Sequence, residues 1–125
     1  METYKLIVAI IAILCWVIAE AYKDAEILNI HQYFTDHKSR VISRCAVGVI
    51  AATSVSLWVG VLTLFLFWLL FDLLLNIFRK DVDWDHMGTV AKSDKFFSKN
   101  IKLYWLSKLF VFFASLIIIV ILLKI

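Results

Sequence analysis

Hydrophobic residues are concentrated in three long segments of the chain, and polar or charged residues separate them. The apolar segments cover about residues 4–22, 46–71 and 103–123, and a polar loop covers residues 80–101. The last two segments reach the roughly twenty residues that an α-helix needs to span about 30 Å of hydrocarbon. Tyr4 and Tyr22 bracket the first segment, about 27 Å apart along a helix, which suits an interfacial aromatic residue at each end. The pattern predicts three membrane-spanning helices.

The predicted fold class is therefore all-α, a small polytopic membrane protein that forms one domain over residues 1–125. Because proline is absent and only three glycines occur, each apolar segment is predicted to be a continuous helix. The first helix is expected to cover about residues 3–33, and the second to continue to about residue 79. Both helices are longer than a bilayer is thick, so together they are predicted to form an extended hairpin whose tip protrudes from the membrane.

Composition agrees with a chain surrounded by lipid. Hydrophobic residues make up 63% of the sequence and charged residues 18%, which is too apolar for a soluble domain of this size. The net charge of +3 is modest and no block of lysine and arginine occurs, so nucleic acid is not a predicted partner. The first segment also fits a signal peptide, because it contains Lys5, an apolar core and the triplet Ala19, Glu20 and Ala21. Glu2 weakens the basic region of such a peptide, so a retained membrane helix is favoured.

The charge of the connecting segments favours one orientation by a small margin. Three crossings would place seven basic residues on one side (Lys5, Arg79, Lys80, Lys92, Lys95, Lys99 and Lys102) and five on the other (Lys23, Lys38, Arg40, Arg44 and Lys124). Since cytoplasmic loops are enriched in Lys and Arg, this count favours a multi-pass protein with a cytoplasmic N-terminus.

Four small residues recur at a spacing of four in the second segment: Gly48, Ala52, Ser56 and Gly60. Helices in lipid associate through van der Waals contact and hydrogen bonds, and rows of small residues let two backbones approach closely. The row predicts a helix-packing surface. Its partner is either another helix of the same chain or a second copy, and the sequence leaves both open.

An aspartate interrupts the most apolar part of the chain. Asp72 lies seven residues before Arg79, and Lys108 lies six residues after Lys102, so an antiparallel pair of helices would place both at the same membrane depth. Asn76 is on nearly the same face as Asp72 and can donate to its carboxylate. We predict an intramembrane polar cluster of Asp72, Asn76 and Lys108. It either fixes the helix register or lines an aqueous path, because ionisable groups at membrane depth often mark ion routes.

A second charge cluster is predicted where the first two helices meet. Acidic residues and a histidine on the first helix run antiparallel to basic residues on the second, across a turn near residue 35; the cluster contains Glu20, Asp24, Glu26, His31, His37, Arg40 and Arg44. Salt bridges from Arg44 to Asp24 and Glu26 are expected to close this hairpin. A metal site is the alternative, since facing helices of di-metal bundles supply carboxylates and histidines, but the compact Glu-x-x-His spacing is missing.

The polar loop contains weak candidates for a cation site, namely Asp81, Asp83, Asp85 and His86. An EF-hand starting at Asp81 would need glycine at position 86 and glutamate at position 92, but the sequence has His86 and Lys92. No cofactor is predicted, and the sequence leaves metal binding undecided.

The function favoured by these patterns is non-enzymatic association in the bilayer, as a homo-oligomer or with another membrane protein, because catalytic motifs are absent. One alternative is a pore or a transporter of ions or small solutes; three short spans with small soluble parts resemble holins in outline, without a shared residue motif. A second alternative is a metal-dependent enzyme at the membrane interface.

Overall fold

The computed structural model describes residues 1–31, 37–80, 82–84 and 92–125. These residues form five α-helices: α1 (Thr3–His31), α2 (His37–Ser54), α3 (Leu57–Phe78), α4 (Lys92–Lys99) and α5 (Ile101–Lys124). Three helices are long and apolar enough to cross a membrane: Thr3–Ile30, Leu57–Phe78 and Ile101–Lys124. The predicted class of an all-α, multi-pass membrane protein is therefore confirmed.

Helices α1 and α3 are parallel neighbours. Leu6, near the start of α1, and Leu62, near the start of α3, belong to one buried cluster. Tyr22, further along α1, packs edge-on against Phe78 at the end of α3, with ring centroids 5.6 Å apart. Both helices therefore begin at one end of the bundle and finish at the other.

Helix α2 runs back along α3 in the opposite direction. Gly48 faces Leu64, and Ala52, one turn later, faces Gly60, one turn earlier on α3. A Cβ built on Gly60 would lie 2.5 Å from the Cβ of Ala52 and 2.8 Å from the carbonyl oxygen of Gly48. Glycine is thus required for the two backbones to come this close.

The expectation of one continuous helix through the second apolar segment is wrong, because the chain reverses between Ser54 and Leu57. Ser56 has an extended backbone and caps α3, its hydroxyl oxygen accepting a hydrogen bond from the N–H of Val59 at 3.2 Å. The cap satisfies an amide that would otherwise be unpaired, and the contact with Gly60 holds the reversed helix in place. The protruding tip predicted for the hairpin falls on residues 32–36, outside the described residues.

Helix α5 packs antiparallel to α3, so that its end joins the starts of α1 and α3. Ile118 and Leu122 share the buried cluster of Leu6 and Leu62. At the opposite end, the Oδ1 atom of Asn29 accepts a hydrogen bond of 3.1 Å from the N–H of Lys80. The predicted grouping of Lys5 with Arg79 and Lys80 at one end is therefore wrong; it followed from treating the second segment as a single crossing.

Candidate functional site

A pocket between α3 and α5 contains the polar residues that the sequence analysis placed at membrane depth. Its volume is about 380 Å³, which is within the range of small ligand sites. Four leucines and Phe112 line it, together with six further polar and aromatic residues: Asp72, Asn76, Trp84, Tyr104, Trp105 and Lys108. Apart from Trp84 of the polar loop, the lining residues come from the C-terminal half of α3 and the N-terminal half of α5, so the pocket occupies one half of the membrane thickness.

Asp72 and Lys108 are brought together in this pocket, but their environments differ. The Nζ atom of Lys108 lies 3.6 Å from Oδ2 of Asp72, and the Tyr104 hydroxyl donates to the same oxygen at 3.4 Å. The side chain of Lys108 is only 9% exposed, whereas that of Asp72 is 44% exposed. The pocket therefore presents an accessible carboxylate, with its cation behind it.

The ammonium group of Lys108 has further partners inside the protein. It donates to the backbone carbonyl of Trp68, and it lies 4.0 Å from the centroid of the Trp68 ring and 5.2 Å from that of Tyr104. Cation–π contacts of this kind stabilise an ammonium that is removed from water. Lys108 is thus held against α3, which leaves Asp72 as the charged group that faces the pocket opening.

Asn76 is buried in the same pocket and makes a contact that the sequence analysis missed. Its side-chain amide donates to the backbone carbonyl of Trp84 at 3.0 Å, which attaches the start of the polar loop to α3. The Trp84 ring also lies 6.3 Å from that of Trp105, measured between centroids. Hydropathy and spacing give no signal for a contact between a helix and a loop carbonyl, so Trp84 could not be placed in the pocket beforehand. Trp105 lies three residues before Lys108 in α5, and this helical spacing could have placed it on the face of Lys108.

The charge cluster between α1 and α2 is centred on Asp24, whose side chain is 1% exposed. Arg40 Nη1 donates to Oδ1 of Asp24, and Arg44 Nη2 donates to Oδ2. The guanidinium of Arg44 also lies 4.4 Å from the ring centroid of Phe71 and 4.8 Å from that of Phe67. The carboxylate is shared by two cations, and one of these stacks on the aromatic face of α3.

The second acidic partner of Arg44 is Glu20, at 3.9 Å, and the expected salt bridge to Glu26 is wrong. Glu20 is one helical turn from Asp24 and shares its face, whereas Glu26 is exposed and interacts with Tyr22. The side chains of His31 and His37 lie outside the described residues.

Within the described part of the chain, no group of three or more His, Cys, Asp and Glu residues is placed to hold a metal ion. Both oxygens of Asp24 already accept hydrogen bonds from guanidinium groups. The metal alternative for the hairpin also includes His31 and His37, whose side chains lie outside the described residues, so it stays a prediction. Of the loop candidates, Asp81, Asp85 and His86 lie outside the described residues, while Asp83 is described and exposed.

The row of small residues is divided between two helices. Gly48 and Ala52 of α2 face Gly60 and its neighbours on α3, while Ser56 caps α3 at the reversal. This close contact lies inside one chain.

Comparison of the chain with models of protein families, with curated proteins and with solved structures found no match.

Proposed function

We propose that this chain is a non-enzymatic membrane protein that acts by self-association, through the face of α3 and α5 that contains the pocket. The observation that supports this proposal is the half-exposed carboxylate of Asp72 within a helix that is long and apolar enough to span a membrane. Phe78, the last residue of α3, is six residues further on, so Asp72 lies about 9 Å from the end of the helix.

A carboxylate at this depth needs more partners than the two that approach it among the described residues. Ionised groups in membrane-spanning segments are normally paired or face the interior of a bundle, because lipid cannot solvate them. Lys108 at 3.6 Å and Tyr104 at 3.4 Å both approach the same oxygen, Oδ2. A helix that covers the pocket opening would remove the remaining exposed oxygen surface from lipid and could donate to it.

A second copy of the chain has the complementary group on the same face. Trp105 lines the pocket, is 47% exposed, and its indole N–H has no hydrogen-bond partner among the described residues. In a two-fold arrangement the same patch of both copies meets, so a patch with one acceptor and one donor is complementary to itself. Each Trp105 could then donate to the Asp72 of the other copy.

The row of small residues gives no support to self-association, because Gly48, Ala52 and Gly60 are used for packing within the chain. The proposed interface is therefore different from the one that spacing alone suggested. It contains an ionisable group and aromatic rings, and hydrogen bonding rather than backbone approach would provide its specificity.

Cysteine cross-linking in lipid vesicles tests the proposed interface. In a background with Cys15→Ala and Cys45→Ala, Leu109→Cys at the pocket should form a disulfide-linked dimer on mild oxidation. Phe110→Cys is the matched control, since Phe110 is also exposed but does not line the pocket. Adding Trp105→Phe should weaken the cross-link. A monomer in native mass spectrometry from lipid, together with equal cross-linking of both cysteine variants, would refute the proposal.

The exposed carboxylate also supports a second candidate function, passage of an ion or proton between assembled copies. Within one chain the pocket occupies only half of the membrane thickness, so a continuous path would have to form between copies. Liposome flux measurements on the natural chain and on Asp72→Asn address this possibility. Flux no greater than that of protein-free liposomes for both proteins would eliminate it.

A further inference from the structure

We infer that α2 is a fourth bilayer-crossing segment, and that both chain termini consequently lie on the same side of the membrane. Helices α1 and α3 both have the length and apolarity of membrane spans, and they run parallel. Two consecutive parallel spans can be connected only if the chain between them returns across the bilayer. Helix α2 has 18 residues and is about 27 Å long, close to the thickness of the hydrocarbon core.

The exposed face of α2 has the character of a lipid-facing surface. Val41, Ile42, Val49 and Ile50 point away from the bundle and are between 58% and 68% exposed. The two arginines face inward instead, toward α1, and Gly48 and Ala52 face α3. The hydroxyls of Ser43 and Thr53 are exposed, but each donates a hydrogen bond to a backbone carbonyl of α2 itself. A helix on the surface of a soluble protein has the opposite arrangement. We therefore assign lipid acyl chains as the surroundings of this face.

The arginines of α2 reduce its mean hydropathy, yet both are paired with acids of α1: they share the carboxylate of Asp24, and Glu20 lies 3.9 Å from Arg44. Arg44 stacks on Phe67 and Phe71, which are 11 and 7 residues before the end of α3. Its guanidinium is thus about 10–16 Å from that end, near the middle of the helix. Asp24 of α1 binds both arginines, so the positive charges of α2 enter the membrane only together with an acid from a neighbouring helix.

A fourth crossing changes which basic residues share a side of the membrane. Three of the thirteen, Arg40, Arg44 and Lys108, are paired between helices. Two others, Lys5 and Lys124, belong to the end that holds both termini, and the remaining eight belong to the opposite end: Lys23, Lys38, Arg79, Lys80, Lys92, Lys95, Lys99 and Lys102. Eight against two is a strong bias, and it places the loop after α3 in the cytoplasm and both termini outside.

Cysteine accessibility in intact expressing cells measures both parts of this assignment. Single cysteines are introduced as Glu2→Cys, Ile125→Cys and Asp83→Cys in the background with Cys15→Ala and Cys45→Ala. A membrane-impermeant maleimide should label Glu2→Cys and Ile125→Cys in intact cells, and Asp83→Cys only after permeabilisation. Labelling of the two termini from opposite sides would overturn the fourth crossing. Labelling of both termini only after permeabilisation would overturn the orientation.

The natural Cys45 reports on α2 directly, because it is exposed and adjacent to Arg44. In a Cys15→Ala chain, Cys45 should react with the impermeant maleimide at least about tenfold more slowly than Ile125→Cys, from either side, since a charged reagent is excluded from hydrocarbon. A lipid-soluble maleimide should modify it, which shows that the thiol is not buried in protein. Rapid labelling by the impermeant reagent would place α2 in water and refute the crossing. None of these results depends on self-association.

Discussion

Replacing Asp24 with asparagine is the most informative single change in the charge cluster of α1 and α2. The carboxylate is 1% exposed and both of its oxygens bind guanidinium groups, one from Arg40 and one from Arg44. Asparagine has nearly the same volume, so the substitution removes the charge while leaving the packing unchanged. Two arginines then lose their shared acid within a bundle that is surrounded by lipid.

The expected cost follows from the burial of the three groups. Removing one member of a buried ion pair typically destabilises a protein by about 3–5 kcal/mol, because an uncompensated charge stays behind. An unpaired arginine near the centre of a membrane helix costs about 2.5–3.5 kcal/mol on insertion scales. Glu20 is 3.9 Å from Arg44 and can compensate in part, so we expect the free energy of unfolding to fall by an amount near the lower end of this range, about 3 kcal/mol.

The free energy of unfolding is measured by titrating sodium dodecyl sulfate into mixed micelles and following helicity by circular dichroism. Glu20→Gln is the matched control: it removes an acid one turn away whose side chain is 24% exposed, and it should cost about 0–1 kcal/mol. Replacing Arg40 and Arg44 by methionine in the Asp24→Asn background should recover most of the loss, since neutral side chains leave no buried charge. If Asp24→Asn costs no more than Glu20→Gln, the cluster does not hold α2 in the bundle.

Three further predictions concern α2, α3 and the pocket. Gly60→Ala should lower the free energy of unfolding by about 1–3 kcal/mol, because the new Cβ would meet the backbone of α2. In Gly48→Ala the new Cβ would meet a movable leucine side chain, so the loss should be less than about 1 kcal/mol; thermal melts compare the two variants. Ser56→Ala should cost about 1 kcal/mol in the same melts through loss of the α3 cap. Lys108→Met alone should destabilise the protein more than Lys108→Met combined with Asp72→Asn. A double-mutant cycle should give a coupling energy of about 0.5–3 kcal/mol, and a value near zero would contradict the pairing of the two side chains.

Local arithmetic on the sequence was sufficient to place several side chains of the candidate site. The distance of Asp72 from Arg79 and of Lys108 from Lys102 assigned both to one depth, and the two side chains lie 3.6 Å apart. A turn near residue 35 likewise placed Arg44 opposite Asp24. Both inferences required only the helical rise and an antiparallel neighbouring helix. Trp84 could not be placed because a loop brings it to the pocket, whereas Trp105 could have been found from its helical spacing to Lys108.

The helical, membrane-spanning character of the chain could be inferred from its sequence alone, because long uninterrupted apolar runs cross lipid as helices, in which every backbone group is paired within the segment. The position at which the second apolar segment reverses is visible only in the folded chain. No proline or glycine marks the reversal at Ser56, and its neighbours Val55 and Leu57 are as apolar as the rest of the segment. The reversal depends on contacts between residues distant in sequence, namely Gly60 against α2 and Asp24 with the two arginines. Hydropathy averages each segment separately, so it cannot register a charge that is neutralised by another helix.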